Sequence, residues 1–344
     1  MLGAKMRANN MIECFNIVKD AVDKGELSEA FKGFEKELCE GAVRGLDIDQ
    51  FENYREWISW LRWSSVVLDE NDYLKAALYA LHLAPKLAAT DYGTARQRDL
   101  GHLWTDIIRG LLGELAFVKW LQERFRLRIE LDFRLGRLDE FLPSDIKSVE
   151  GRKPKLKISI KTTKLGGIWL DVPYAQTEHS EIFILMRVGA RREHFVAFFK
   201  KISVIKDKLM KEAIERDLMN KNELEEIWCA VPEFTSMPAY VAGFLNKECF
   251  ADRLKDRLRI IEADGEVKVK RVIINKYLGF WHPADPQYEK TLKDFLVSKG
   301  RNVRKNMRIE FEGIGDFTRT LHFIASSGVL NKSKDDWREL LRKL

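Results

Sequence analysis

The sequence predicts an α/β protein in which a mixed β-sheet flanked by helices lies between an N-terminal helical region and a C-terminal α+β region. Three observations support this class. Apolar residues recur every three or four positions through residues 11–83, a spacing typical of helices. The same spacing marks residues 102–125 as a further helix. Residues 155–161 alternate between apolar and polar, and residues 181–188 are almost continuously apolar, which indicates strands.

The N-terminal region is predicted to span residues 1–98. Its recurrent apolar positions place four helices, at Met11–Val22, Leu27–Gly45, Ile48–Leu68 and Asp72–Leu83. Pro85 is expected to end the last of these helices, because its ring lacks an N–H donor and clashes with the preceding turn. The segment Asp91–Arg98 breaks the helical pattern and is interpreted as a linker.

A helix at His102–Phe125 opens the predicted central region, residues 99–203. On it Glu114 shares a face with apolar residues three, four and seven positions away. A carboxylate on an apolar face needs a cation, a hydrogen-bond network or a raised pKa. Gly110 and Gly113 each disfavour a helix by roughly 1 kcal/mol relative to alanine. We therefore expect another part of the chain to pack closely against them.

Two strands are predicted next, around Pro143–Ile146 and Lys155–Lys161. In the second, Ser159 and Lys161 point to the same face because side chains alternate along a strand. The intervening Glu150–Pro154 suits a hairpin connection, which would bring Asp145 beside Lys161. Further strands are predicted at Ile168–Val172, Glu181–Val188 and His194–Phe199. Asp171 is close enough in sequence to join the same site, although the alternation does not fix its direction.

Three motifs in this region together resemble one nuclease superfamily: Gly110–Phe117, Pro143–Asp145 and Ser159–Thr163. They resemble the PD-(D/E)xK, or restriction-endonuclease-like, superfamily, in which a helix glutamate precedes a strand aspartate and a strand with an acid, any residue and a lysine. The resemblance covers about residues 100–200. It implies a restriction-endonuclease-like core and an Mg²⁺ ion, or Mn²⁺, held by Asp145, the backbone carbonyl of Ile160 and Glu114. Lys161 would orient and help deprotonate the attacking water and offset charge in the transition state.

Ser159 departs from the superfamily pattern, which has aspartate or glutamate at this position. A hydroxyl is a poorer ligand for a hard cation than a carboxylate. One interpretation is that Ser159 belongs to the catalytic set and holds a metal-bound water. The alternative is that the substitution marks a site that binds DNA but no longer cuts it.

The C-terminal region, residues 204–344, is predicted to be α+β and to include DNA-recognition elements. Val204–Trp228 is charged and amphipathic, which indicates a helix or helix pair, and Val267–Ile274 has a strand pattern. Residues 300–308 carry four cations and no acid, a composition that suits phosphate contacts. A basic patch without a partner explains it equally well. The residues expected to contact DNA are Thr162, Thr163, Lys164, Arg301, Arg304 and Lys305.

Composition is consistent with a globular DNA-binding protein but does not require one. The chain of 344 residues is 45% hydrophobic and carries a net charge of +6, a modest excess that favours a polyanionic partner. Its four cysteines include no CxxC pair, so we expect free thiols in a cytoplasmic protein. No apolar stretch is long enough to cross a bilayer, and no membrane partner is expected.

These observations and the resemblance lead to the expectation of a metal-dependent endonuclease that cuts double-stranded DNA. A type II restriction enzyme is favoured because regions on both sides of the core suit sequence recognition. Cleavage of both strands with one site per chain favours a homodimer, and a companion DNA methyltransferase would act on the same sequences. The alternatives are a DNA repair or Holliday-junction nuclease and a catalytically silent DNA-binding protein of the same fold.

Overall fold

The structure is a computed structural model that describes residues 2–88, 100–133, 144–248, 257–314 and 320–344. It has the mixed α/β architecture that the sequence predicts, with helices and both parallel and antiparallel strands. Asp91–Arg98, Pro143 and Cys249 lie outside the described residues.

Helices and strands follow one another in short runs along the described chain. The helices are α1 (Leu2–Asp23), α2 (Glu35–Arg44), α3 (Tyr54–Ser64), α4 (Glu70–Ala88), α5 (Leu100–Phe125), α6 (Tyr174–His179), α7 (Arg192–Phe199), α8 (Lys211–Glu215), α9 (Lys221–Ala230), α10 (Pro286–Ser298) and α11 (Lys334–Arg342). The strands are β1 (Ser65–Leu68), β2 (Ile129–Leu131), β3 (Ile146–Val149), β4 (Ile158–Lys164), β5 (Trp169–Pro173), β6 (Ile182–Val188), β7 (Met237–Asn246), β8 (Ile260–Val267), β9 (Arg271–Trp281), β10 (Arg308–Phe311) and β11 (His322–Ser326).

The first sheet has the strand order β1-β7-β6-β4. Strand β4 runs parallel to β6, and β7 is antiparallel to both β6 and β1. Every residue of β6 is buried, which confirms the prediction of a strand covered on both faces. Its residues Ile182 and Ile184 pack toward α4 and α5, whereas Phe183 and Leu185 pack toward the second sheet.

The second sheet has the order β10-β9-β11-β5, with β8 paired to β9, and a separate pair joins β2 to β3. Ring contacts such as Phe183 with Phe323, whose centroids are 6.3 Å apart, connect the two sheets. The core between them also includes α1, α2 and α3, so the predicted N-terminal and C-terminal regions share one hydrophobic core. The division into three regions stays a prediction.

Several element predictions were wrong. Ile48–Leu68 is not one helix, because its last residues form β1, where the β-branched pair Val66 and Val67 fits a strand paired to β7. Pro85 does not end α4, which continues to Ala88; only a short turn follows the proline, so little of the helix lies beyond the lost hydrogen bond. His194–Phe199 lies in α7 rather than in a strand.

Local hydrogen bonds and buried positions explain two of these errors. In α7, the buried residues His194, Ala197 and Phe198 have helical spacing, and His194 Nδ1 accepts the Arg191 N–H at 3.0 Å, which caps the helix. Val267–Ile274 is not one strand either, since it spans the turn between β8 and β9, where Val269 is 85% exposed. Val204–Trp228, predicted as a helix or helix pair, contains two helices, α8 and α9.

A disulfide joins Cys14 of α1 to Cys39 of α2, so the prediction that these cysteines are free thiols was wrong. The two residues are 25 positions apart with no local pattern, and only the packing of α1 on α2 brings them together. Both are fully buried, whereas Cys229 is exposed and free. Among the described residues, no helix has the length and apolarity that a membrane span requires.

Removing this disulfide by Cys14→Ala and Cys39→Ala is expected to lower the free energy of unfolding by about 3 kcal/mol, because the bond closes a long loop in the unfolded chain. Urea denaturation with and without reductant measures the loss. Reductant should destabilise the wild-type protein and leave the double variant unchanged, and Cys229→Ala serves as the neutral control. A wild-type protein insensitive to reductant would show that the bond does not form in solution.

A buried charge cluster, formed by Arg187, Asp47 and Lys332, lies on the face of β6 that packs toward the second sheet. Arg187 Nη1 is 2.6 Å from Asp47 Oδ2, and Lys332 Nζ is 3.1 Å from Asp47 Oδ1. Arg187 also donates to Ser327 Oγ at 2.8 Å and to the Gly167 carbonyl at 2.6 Å. The cluster therefore connects β6 to the turn after β4 and to the segment after β11.

Candidate active site

Asp145 lies one residue before β3 and against the edge of β4. Its N–H donates to the Ile158 carbonyl at 2.8 Å, and its Oδ2 accepts the Ile160 N–H at 2.5 Å. The hydroxyl of Ser144 accepts the N–H groups of Ile146 and Ile158, each at 3.2 Å. These bonds hold the Asp145 carboxylate beside β4, as the predicted hairpin required, although β3 itself pairs with β2.

The Ile160 carbonyl lies on the same edge of β4 as Asp145. In a strand, the N–H and C=O of one residue point to the same edge. Because the Ile160 N–H points to Asp145, its carbonyl also faces away from β6. Strand β4 is the last strand in the order of the first sheet, so no further strand of the described residues pairs with this edge.

Glu114 reaches the site from α5, which packs directly on β4. A Cβ built on Gly113 would lie 1.9 Å from Thr162 Oγ1, so only glycine allows this approach, as predicted. At Gly110 a Cβ would meet nothing within 4 Å, so the space around this residue does not require glycine. The Gly110 carbonyl instead accepts the Thr162 hydroxyl at 3.1 Å. These contacts fix the helix against the strand.

The charged groups of Glu114, Asp145 and Lys161 lie close enough to perturb one another. Burial raises the pKa of Glu114 well above its ordinary value, the Asp145 charge raises it further, and Lys161 opposes both. Burial also raises the pKa of Asp145, against the Lys161 charge and the Ile160 N–H bond. The structure therefore places Glu114, Asp145 and Lys161, three of the four predicted catalytic residues, close to one another.

Lys161 lies among three carboxylates. Burial lowers its pKa, and the charges of Asp145, Asp171 and Glu114, in that order, oppose this effect. Its Nζ donates to Gln176 Oε1 of α6. Sequence reasoning missed Gln176 because a polar residue in a short helix carries no distinguishing pattern.

Ser159 is 4% exposed, so its hydroxyl is nearly covered. It lies on β4 with Lys161 but is not among the residues that line the adjacent cleft. Its predicted role with a metal-bound water stays a prediction.

A cleft of about 1490 Å³ opens beside Lys161. Thr162, Thr163 and Lys164, which we expect to contact DNA, also line it, whereas Asp145 and Glu114 are not among the lining residues. Besides His102, the lining carries as many Asp and Glu as Lys and Arg side chains, and several are paired, such as Arg191 with Glu37 at 3.1 Å. The charge of the cleft is therefore balanced.

The predicted basic segment lies elsewhere. Arg301 makes two bonds to Asp264, at 2.9 Å to Oδ1 and 2.6 Å to Oδ2. Arg301, Arg304 and Lys305 precede β10, and none of them lines the cleft. Their contact with DNA stays a prediction that needs a surface separate from the cleft.

The donor set suits magnesium. Asp145 lies beside the Ile160 backbone at the edge of β4, and Glu114 is close enough to Asp145 for the two carboxylates to repel each other. Mg²⁺ is commonly held by one or two carboxylates and keeps several waters. Within the described ranges, no group of three or more His, Cys, Asp or Glu side chains is placed to hold a metal ion. Asp145, Glu114 and the Ile160 carbonyl would be the protein ligands, and water would supply the others.

Comparisons with protein-family models, curated proteins and solved structures found no match to this chain.

Glu114→Gln is expected to raise the free energy of unfolding by about 1–3 kcal/mol near pH 8 in the presence of chelator, because it removes a poorly solvated charge. The pKa of Glu114 is higher in the folded than in the unfolded protein. Wild-type stability therefore falls as pH rises from about 4.3, the unfolded value, through the folded pKa. The advantage of the variant should shrink toward about pH 4. Thermal unfolding across this pH range measures it.

The control for this experiment is Glu123→Gln, since Glu123 lies on the same helix with a 42% exposed side chain. It should show no comparable pH-dependent gain. In cleavage reactions, Glu114→Gln should slow the rate or weaken its dependence on magnesium. A stability gain independent of pH, with unchanged magnesium dependence, would return Glu114 to a purely structural role.

Proposed function

We propose that this protein is a metal-dependent endonuclease that hydrolyses phosphodiester bonds in double-stranded DNA, with a restriction-endonuclease-like core. The observation that carries the proposal is the meeting of Glu114, Asp145 and Lys161 at the edge of β4. Two carboxylates beside an ammonium suit a cation on a phosphate and a positioned water. The altered pKa values are also typical of functional sites, where burial and specific charges act together.

In the proposed mechanism, Asp145, Glu114 and the Ile160 carbonyl would hold a divalent cation. When bound, a divalent cation supplies Lewis-acid polarisation of the phosphate and lowers the pKa of a coordinated water. Lys161, fixed by Gln176, orients the attacking water and helps to activate it. Its charge offsets the negative charge that develops on the pentacovalent phosphorus. The Ile160 N–H keeps the Asp145 carboxylate in place.

A type II restriction enzyme acting as a homodimer is the form of this function that we propose, with a companion DNA methyltransferase to protect the same sequences. A catalytically silent DNA-binding protein is the second candidate. The specific observation that favours it is Ser159, a buried hydroxyl where the superfamily pattern has an acid.

Incubation with Mg²⁺ or Mn²⁺ separates these candidates. The substrates are a plasmid of known sequence and a four-way junction, and the controls are chelator and the Asp145→Asn variant. Discrete plasmid fragments support a restriction enzyme, whereas cutting confined to the junction supports a junction nuclease. DNA binding without cutting supports the silent form. If the protein neither binds nor cuts DNA, the proposed function is overturned.

A further inference from the structure

The second sheet contributes a carboxylate to the cleft. Asp171 is on β5, which pairs with β11 in a register that places Asp171 opposite Ile324 and Pro173 opposite His322. Asp171 and Lys161 line the same cleft, and the Asp171 side chain is 36% exposed. Against the lowering by burial, the Asp171 charge also raises the pKa of Lys161, which requires the two side chains to lie near each other.

His322 fixes the Asp171 carboxylate through a hydrogen bond. Its Nδ1 is 2.6 Å from Asp171 Oδ1, and because a carboxylate oxygen only accepts, Nδ1 carries the hydrogen. Its Nε2 is 2.9 Å from Thr320 Oγ1. The imidazole is only 5% exposed, so both ring nitrogens are engaged inside the protein. His322 therefore orients Asp171 and presents no nitrogen to the cleft.

The proposed reaction requires a proton acceptor in the cleft. An ammonium has three donors and no acceptor, so Lys161 in that form can orient water but cannot take its proton. Asp145 Oδ2 already accepts the Ile160 N–H, and neither Asp145 nor Glu114 lines the cleft. Asp171 lines the cleft beside Lys161, and its bond to His322 uses Oδ1.

We infer that Asp171 accepts the proton of the attacking water in the proposed phosphodiester hydrolysis and that His322 is the positioning residue that holds it. One water proton passes to Asp171, the water oxygen forms a bond to phosphorus, and the bond from phosphorus to the leaving oxygen breaks. The proton then returns through solvent to the leaving oxygen, which restores the carboxylate. This inference rests on the proposed function and adds the second sheet to the catalytic site.

Asp171→Asn tests the inference, since asparagine can still accept the His322 hydrogen bond but is a far weaker base. We expect kcat to fall by about 10²-fold or more, the usual contribution of a general base. KM for DNA and Mn²⁺ affinity, measured by electron paramagnetic resonance, should stay unchanged. Asp106→Asn, which also removes a carboxylate from the cleft lining, is the control and should retain the wild-type kcat.

His322 is tested by a pair of variants. His322→Asn keeps an N–H donor close to the position of Nδ1, whereas His322→Leu has none. We expect the leucine variant to lose about tenfold or more in kcat with unchanged KM, and the asparagine variant to recover most of that loss. A purely structural role would lower the thermal stability of both variants and would not distinguish their kcat values.

The outcomes separate this inference from the proposed function. If the wild-type protein does not cleave DNA, both fail. If the wild-type protein cleaves and Asp171→Asn retains its kcat, only the inference fails. A loss of Mn²⁺ affinity in Asp171→Asn would also overturn it, because Asp171 would then be a metal ligand rather than a base.

Discussion

Replacement of Asp145 is expected to remove DNA cleavage, with a rate loss on the order of 10³-fold or more. Asp145 is the carboxylate whose position is best determined, since its N–H, its carbonyl and its Oδ2 all bond to neighbouring backbone groups. Without this carboxylate, the proposed site keeps only Glu114 and one backbone carbonyl, so a divalent cation would lose one of its two charged ligands. Lys161→Ala should have a loss of similar size, because the water and the transition state lose their cationic partner.

Two replacements at Asp145 separate chemistry from folding. Asparagine retains an oxygen that can accept the Ile160 N–H, so Asp145→Asn should keep the local fold, whereas Asp145→Ala also removes that bond. Both variants should bind DNA nearly as well as the wild-type protein in a gel-shift assay with chelator. Full cleavage by Asp145→Asn or by Lys161→Ala would show that the site is assigned to the wrong residues.

The central part of the site was predictable because its information is local. Asp145 and Lys161 are close in sequence, joined by a short segment that turns at Glu150 and Gly151, and strand alternation alone gives the face of Lys161. Glu114 stood out as a carboxylate on an apolar helix face, and the Gly113 contact with Thr162 explains how α5 comes so close to β4. The periodicity of apolar residues and the turn-forming residues were sufficient to predict where these side chains lie.

Residues brought together by tertiary packing were not predictable in this way. His322 is 151 positions from Asp171, and neither carries a local signal for their hydrogen bond. Asp47 is 140 positions from Arg187, which looks like an ordinary charge at the end of an apolar strand. The DNA-contact prediction for Arg301 rested on charge alone, and the structure shows that Asp264 pairs with this charge.

The largest effect on stability is expected at the buried charge cluster, where Asp47→Asn should lower the free energy of unfolding by about 3–5 kcal/mol. Arg187 and Asp47 side chains are 0% and 2% exposed, so loss of the carboxylate leaves Arg187 and Lys332 without their anion. Burial raises the pKa of Asp47, but Arg187, Lys332 and hydrogen bonds together hold it below its ordinary value. Its contribution is therefore present above about pH 3.9, the unfolded value, and is lost as pH falls through the folded pKa.

The chain offers a matched control for this prediction in the pair Lys24–Asp20. Its N–O distance is 2.6 Å, the same as that between Arg187 and Asp47, but its side chains are 61% and 60% exposed. Asp20→Asn should change the urea midpoint little, since water solvates both charges. If Asp47→Asn and Asp20→Asn lower the free energy of unfolding equally, burial would not determine how much the cluster contributes to stability. The opposite result is that Asp47→Asn is the more destabilising, with the double variant Asp47→Asn/Arg187→Met more stable than Asp47→Asn alone. In that case the loss of stability comes from the unpaired buried cation.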